Sequence, residues 1–213
     1  MHLGFGGLSF SWYVPVMQPF LETEFHLSVI EAGGILMLDG VSYALATPFW
    51  GWAIDASLMS PLHALFIGSL CIIVGYSLFG LAPFPFFSPY SNVYVVAIGM
   101  LINGIGVASI FLITYLLMLS SSTESGIVSN SEQTQGMLTS LWYCFESLGG
   151  YIGTSCSGWA YDGIGFQIST LIIIGAQVLS MLNLCVVKLI EHGDMKANRS
   201  KKGYQHVGDI INE

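Results

Sequence analysis

Residues 38–55 read Leu38-Asp39-Gly40-Val41-Ser42-Tyr43-Ala44-Leu45-Ala46-Thr47-Pro48-Phe49-Trp50-Gly51-Trp52-Ala53-Ile54-Asp55, an apolar run with one acid near its start and another at its end. From about Ala32 to Ile54 the run holds roughly 23 residues, and at about 1.5 Å per residue it covers a hydrocarbon core about 30 Å thick. The stretch predicts a membrane-spanning helix. Asp55 falls where the chain leaves the membrane, and Asp39 lies about a third of the way in. A carboxyl group at the bilayer centre costs on the order of 2.5–3.5 kcal/mol on insertion scales, so Asp39 is expected to face a bundle interior or a wet cavity.

Working outward, the composition says the same of the whole chain. Of its 213 residues 54% are hydrophobic and only 8% charged, where a soluble domain carries roughly 25% charged residues. A water-soluble fold is excluded, and the polar stretches are too short to bury a core of their own. The apolar windows predict an all-α membrane protein whose residues 1–190 hold six transmembrane helices, at about 3–21, 32–54, 62–83, 93–119, 137–161 and 167–188. The segment Met1 to Phe10 has no basic n-region and no cleavage site, so it reads as the entry into a span rather than a secretory signal. All five basic residues, Lys188, Lys196, Arg199, Lys201 and Lys202, stand at or beyond position 188. By the positive-inside rule the tail 191–213 is cytoplasmic. With six spans the N-terminus is then cytoplasmic too, as are the 55–61 and 120–136 loops. Asn198-Arg199-Ser200 is a glycosylation sequon, usable only if the tail lay outside.

Asp39 and Glu146 are the two acids expected inside spans, and intramembrane carboxylates serve by default as substrate counter-ions or proton relays. Low dielectric disfavours the charged form of a carboxyl group, as a residue that takes up and releases protons near neutrality requires. Tyr43 lies one turn from Asp39, and Trp142 one turn from Glu146. An acid beside aromatic rings has the composition of a cation site. Gln18 and Asn103 add uncharged hydrogen-bonding groups within spans, able to contact a ligand or to join helices. Gly149 and Gly153 stand four apart, the spacing that lets two helix backbones approach closely.

Enzymatic readings find little support. Gly153-Thr154-Ser155-Cys156-Ser157-Gly158 resembles a nucleophile loop, but no later span supplies a histidine base. No metal-ligand spacing and no phosphate-binding Gly-Lys motif occurs. Cys71, Cys144, Cys156 and Cys185 read as small apolar packing residues. No cofactor, metal or nucleic-acid partner is expected. A near-repeat is more informative: Gly51-Trp52-Ala53-Ile54-Asp55 and Gly158-Trp159-Ala160-Tyr161-Asp162 each close a span, three helices apart. By parity they end on opposite faces of the membrane, as inverted structural repeats require.

At Pro48 to Asp55 the chain resembles the loop signature of the major facilitator superfamily, Gly-x-x-x-Asp-[Arg/Lys]-x-Gly-[Arg/Lys]. Gly51 and Asp55 carry it over, while Ala56 stands where the signature has a basic residue. Over about residues 4–190 the chain looks like the C-terminal six-helix half of such a transporter. Ser42-Tyr43-Ala44 with Pro48, and the segment Gly158 to Phe166, are most similar to the vesicular amine transporter group, especially its polyamine-transporter-like branch.

The resemblance implies a secondary transporter for a small organic cation, an amine or polyamine, working by alternating access and exchanging protons. Asp39, Tyr43, Glu146, Trp142, Asn103 and Gln18 would lie at or near the substrate or proton site. It also implies a partner: the missing N-terminal six-helix half, or another subunit. Tyr204-Gln205-His206-Val207 resembles a tyrosine-based sorting signal and would suit a vesicular or endosomal membrane. Two rival readings remain open at this point: a truncated membrane protein with a structural or regulatory role and no transport, and a channel built from several copies.

Overall fold

The computed structural model describes residues 2–80, 92–124, 132–186 and 188. They form α1 (His2–Phe25), α2 (Val29–Asp55), α3 (Pro61–Phe79), α4 (Val93–Glu124) and α5 (Glu132–Ile164), followed by α6 (Phe166–Val186). The described chain is all-helical. Four of these helices, α2, α3, α4 and α6, are long and apolar enough to cross a membrane. The expectation of six spans is thus met by four on length and composition. α1 is a continuous helix whose apolar run is interrupted by glycines and by Pro15 and Pro19, and α5 opens on Glu132-Gln133-Thr134-Gln135 and carries many small polar residues.

Local sequence explains where the helices begin. Ser28 caps α2 in a reciprocal box: its amide donates to Glu31 Oε2 at 2.9 Å, and the Glu31 amide donates to Ser28 Oγ at 3.4 Å, satisfying two N-terminal donors. Ser60 caps α3, with Pro61 as the first helical residue, where its missing N–H costs nothing. The turns before α2 and α3 place His26 and Ser57 at positive φ, and Gly165, between α5 and α6, has φ 82°.

The polar stretch 120–136, expected as a loop, is helical at both ends. α4 continues to Glu124 and α5 starts at Glu132. Within these helical ends the hydroxyls are satisfied by bonding back one turn: Ser122 donates to the Met118 carbonyl at 2.8 Å, and Thr139 to that of Gln135 at 2.9 Å. The 84–92 loop, except Asn92, and the 191–213 tail lie outside the described residues.

Successive helices run antiparallel. One cavity gathers the start of α1 (Leu3, Gly4), the start of α3 (Leu62), the end of α4 (Leu117, Met118) and the end of α6 (Leu184). Another gathers the end of α1 (Phe20, Thr23, Glu24), the end of α5 (Tyr161, Asp162) and the start of α6 (Phe166). The near-repeat pentapeptides therefore close α2 and α5 at opposite ends of the bundle.

Glycines set the distances between helices. On α3 and α4 they face one another in two reciprocal pairs. A Cβ on Gly75 would lie 2.9 Å from the Gly99 carbonyl oxygen and one on Gly99 3.0 Å from that of Gly75; Gly68 and Gly106 repeat the arrangement at 3.0 and 2.6 Å. Without a hydrophobic drive between helices in lipid, such close backbone packing is a main source of association. α1 and α5 meet in the same way: a Cβ on Gly7 would lie 2.4 Å from the Glu146 carbonyl oxygen, and one on Gly149 2.3 Å from that of Gly4. The side-chain core draws mainly on α1, α2, α3 and α4, with Ala160 of α5 and Phe166, Ile173 and Leu184 of α6 joining it. Its α1 contribution, Trp12, Tyr13, Val16, Met17, Phe20 and Leu21, follows the helical period along one face.

Candidate functional site

The buried stripe of α2 is Ala32, Ile35, Asp39, Ser42, Ala46, Trp50 and Ala53. Helical periodicity thus turns Asp39 inward, and its side chain is 1% exposed. Tyr13 of α1 donates its hydroxyl to Asp39 Oδ2 at 2.7 Å, and Asn103 of α4 donates its amide to Oδ1 at 2.8 Å. Ser42 donates to the Asp39 carbonyl at 2.9 Å. Farther along the same face, the Trp50 indole donates to the Ile105 carbonyl at 3.1 Å. α4 comes this close because of Gly104, where a Cβ would lie 2.1 Å from Ser42 Oγ and 2.3 Å from the Asp39 carbonyl oxygen.

No cation balances this carboxyl group among the described residues, whose single Lys or Arg, Lys188, bonds His63. A lone charge so deeply buried is costly. The groups on hand to stabilise it are neutral donors: a phenol and an amide. Asn103 Oδ1 is buried with no partner among the described residues.

A second polar group adjoins the first. The Tyr13 ring meets those of Tyr76 and Phe79, at centroid distances of 6.4 and 5.8 Å. Tyr76 donates its hydroxyl to the Ser9 carbonyl, and Gln177 of α6 donates to Ser9 Oγ at 2.6 Å. Polar contacts therefore link α1 to α2, α3 and α6 through the middle of the bundle.

The aromatic residues form a separate feature. A cavity of about 220 Å³ between α2, α4 and α5 is lined by Tyr43, Thr47, Phe111, Tyr115, Trp142 and Tyr143, among others. Trp142 meets Phe111, Tyr115 and Tyr143 edge-on, with centroids 5.7, 6.2 and 5.0 Å away. Glu146 is half-buried one turn along α5 from Trp142.

The structure therefore brings Asp39 and Asn103 together and sets Tyr43 and Trp142 in one cavity, with Glu146 one turn along α5 from Trp142. Tyr43 points away from Asp39, whose phenol comes instead from Tyr13, 26 residues earlier. Gln18 stands apart from both groups, donating to Glu22 Oε1 at 2.9 Å on its own helix. Gly149 and Gly153 line the α1 contact, a Cβ on Gly153 falling 2.6 Å from the Leu8 carbonyl oxygen. Gly51 is half-buried and Asp55 exposed at the end of α2. Cys144, Cys156 and Cys185 are exposed on the outer surface rather than packed inside; Cys71 is half-buried. Sequence reading missed Tyr13, Tyr76, Ser9 and Gln177. For Tyr13 a signal existed, since it falls on the periodic apolar face of α1.

The chain matches the family model of the Major Facilitator Superfamily over residues 3–209. It is 23% identical over 192 residues to the human MFS-type transporter SLC18B1, covering 90% of this chain and 41% of that protein. With the mouse MFS-type transporter SLC18B1 it shares 25% identity over 199 residues, 93% of this chain and 42% of the relative. The chain thus spans about two-fifths of the length of these relatives.

Proposed function

This chain belongs to the Major Facilitator Superfamily, a family of membrane transporters rather than enzymes, and we propose that it is the C-terminal half of a secondary transporter for a small organic cation. In this reading α1 and α5 complete six passes: α1 starts beside the start of α3 and the end of α6, and α1 and α5 both end beside the start of α6. The N-terminal half, or a partner subunit, supplies the opposing wall, and alternating access exposes the site to each side in turn.

The observation that carries the proposal is Asp39: a carboxyl group buried in the bundle, held by Tyr13 and Asn103, with no cation beside it among the described residues. An intramembrane acid kept at such cost is functional by default. Two roles are divided between the two acids. Glu146, next to the ring-lined cavity, meets the substrate, whose charge the faces of Trp142, Tyr43 and Tyr143 attract. Asp39, sealed behind Tyr13, exchanges the proton. The cavity at the other end, about 610 Å³, has Glu24 and Asp162 in its lining and no Lys or Arg, which favours the passage of cations over anions. The sorting-like Tyr204 motif supports a vesicular or endosomal membrane.

Uptake into proteoliposomes tests this reading, using the protein expressed from its complete transcript, with labelled spermidine, a labelled monoamine and a labelled dicarboxylate. Saturable uptake of one or both amines, abolished by Glu146→Gln with membrane insertion unchanged, is expected. Uptake of the dicarboxylate alone, or of nothing, would overturn it. Current that fails to saturate and needs no proton gradient would mean a channel instead.

A further inference from the structure

We propose that the outer groove between α3 and α6 binds one anionic phospholipid, its phosphate paired with the Lys188 ammonium that His63 orients, and an acyl chain lying along Leu62, Phe66 and Leu184. The groove encloses about 180 Å³ and is lined by Leu62, His63, Phe66, Leu184, Cys185 and Lys188. Its walls are apolar, its mouth carries the Lys188 ammonium, and no acid is among its described lining residues. That division of character matches an amphiphile with a negative head.

The basic mouth is built from two helices. The Lys188 ammonium donates to His63 Nε2 at 2.9 Å. This fixes the other ring proton on Nδ1, which pairs with Ser60 Oγ at 2.7 Å, and Ser60 is the N-cap of α3. A lysine that merely snorkels to water keeps a mobile, hydrated head. Here the ammonium is held above an apolar slot by an imidazole that is itself oriented. The rest of the surface around it, including Phe66, Ile67, Leu182 and Val186, is exposed and apolar, as a lipid-facing wall must be.

Charge points to the same occupant. The four other basic residues all follow Lys188 in the sequence, interspersed with Glu191, Asp194, Asp209 and Glu213, so every Lys and Arg of the chain lies at or beyond the end of α6. Basic residues adjoining a transmembrane helix attract anionic lipid by roughly a factor of five each near the surface. The proposal does not depend on what the protein transports.

Native mass spectrometry of the full chain in micelles containing equal phosphatidylserine and phosphatidylcholine tests it. About one phosphatidylserine per chain should be retained in preference to phosphatidylcholine. Lys188→Gln should cut that preference by roughly fivefold, Lys188→Arg should preserve it, and neither exposed substitution should lower the melting temperature. Equal retention of the two lipids would overturn the proposal. So would a preference that survives Lys188→Gln but is lost when Lys196, Arg199, Lys201 and Lys202 are all changed to Gln, which would assign the lipid to the tail. Added inorganic phosphate should not displace the lipid; complete displacement would mean a free-anion site and contradict the role given to the groove.

Discussion

Asn103 reaches from α4 to Asp39 on α2 at 2.8 Å across 64 residues of sequence, and its chain neighbour Gly104 is what allows the two helices to approach. A Cβ at Gly104 would lie 2.3 Å from the Asp39 carbonyl oxygen, and backbone cannot yield as a flexible side chain does. Gly104→Ala should therefore destabilise the bundle by about 1–3 kcal/mol and reduce uptake along with Tm. Gly40→Ala is the control. Nothing lies within 4 Å of a Cβ there, so Tm should hold or rise slightly, as expected of Ala replacing Gly in a helix.

Removing the acid separates its structural role from its chemical one. Asp39→Ala leaves the Tyr13 hydroxyl and the Asn103 amide without their acceptor, a loss of about 1–3 kcal/mol that a melting curve in detergent would read. Asp39→Asn keeps one acceptor oxygen and the shape of the side chain. It should cost about 0.6–1.7 kcal/mol, the range for hydrogen bonds between membrane helices.

Trp142 should govern affinity rather than stability. Its cation–π contribution of about 0.5–2 kcal/mol corresponds to a rise in the KM for a cationic substrate of roughly 2- to 30-fold in Trp142→Ala. Trp142→Phe should recover part of it. A KM unchanged in both variants would remove the ring-lined cavity from the substrate path.

Gln18 offers a negative prediction. Its amide bonds Glu22 within α1, a pair worth about 0.2–0.5 kcal/mol. Gln18→Ala should leave uptake unchanged, measured beside Glu146→Gln in the same vesicles.

Asp39 could be read from sequence because a carboxyl group inside an apolar run of spanning length has few physical explanations. The two glycines four apart on α5 were legible for a similar reason, small-residue spacing being a local pattern. What stayed hidden was pairing between helices. Tyr43 sits one turn from Asp39, yet the neighbour that bonds the acid is Tyr13, brought in by the packing of α1 against α2. One-turn spacing gives adjacency along a helix, but burial chooses the face, and the α2 stripe through Asp39, Ser42 and Ala46 turns Tyr43 toward α4 and α5. The ends of α4 and α5 were obscured for another reason. Ser and Thr signal a loop by composition, and only the structure shows their hydroxyls bonded back to the preceding turn. Hydropathy understates α1 and α5, because their shared face is built from glycine backbone rather than from bulky apolar side chains.

The most direct test of the central claim, that Asp39 exchanges the proton that drives cation uptake, is amine accumulation in acid-loaded proteoliposomes. The protein expressed from its complete transcript would be compared with its Asp39→Asn variant at equal insertion and comparable Tm. The account predicts that the natural protein accumulates amine while dissipating the pH gradient, and that Asp39→Asn does neither while still binding amine at the ring-lined cavity. Gradient-driven accumulation by Asp39→Asn at the rate of the natural protein would contradict it.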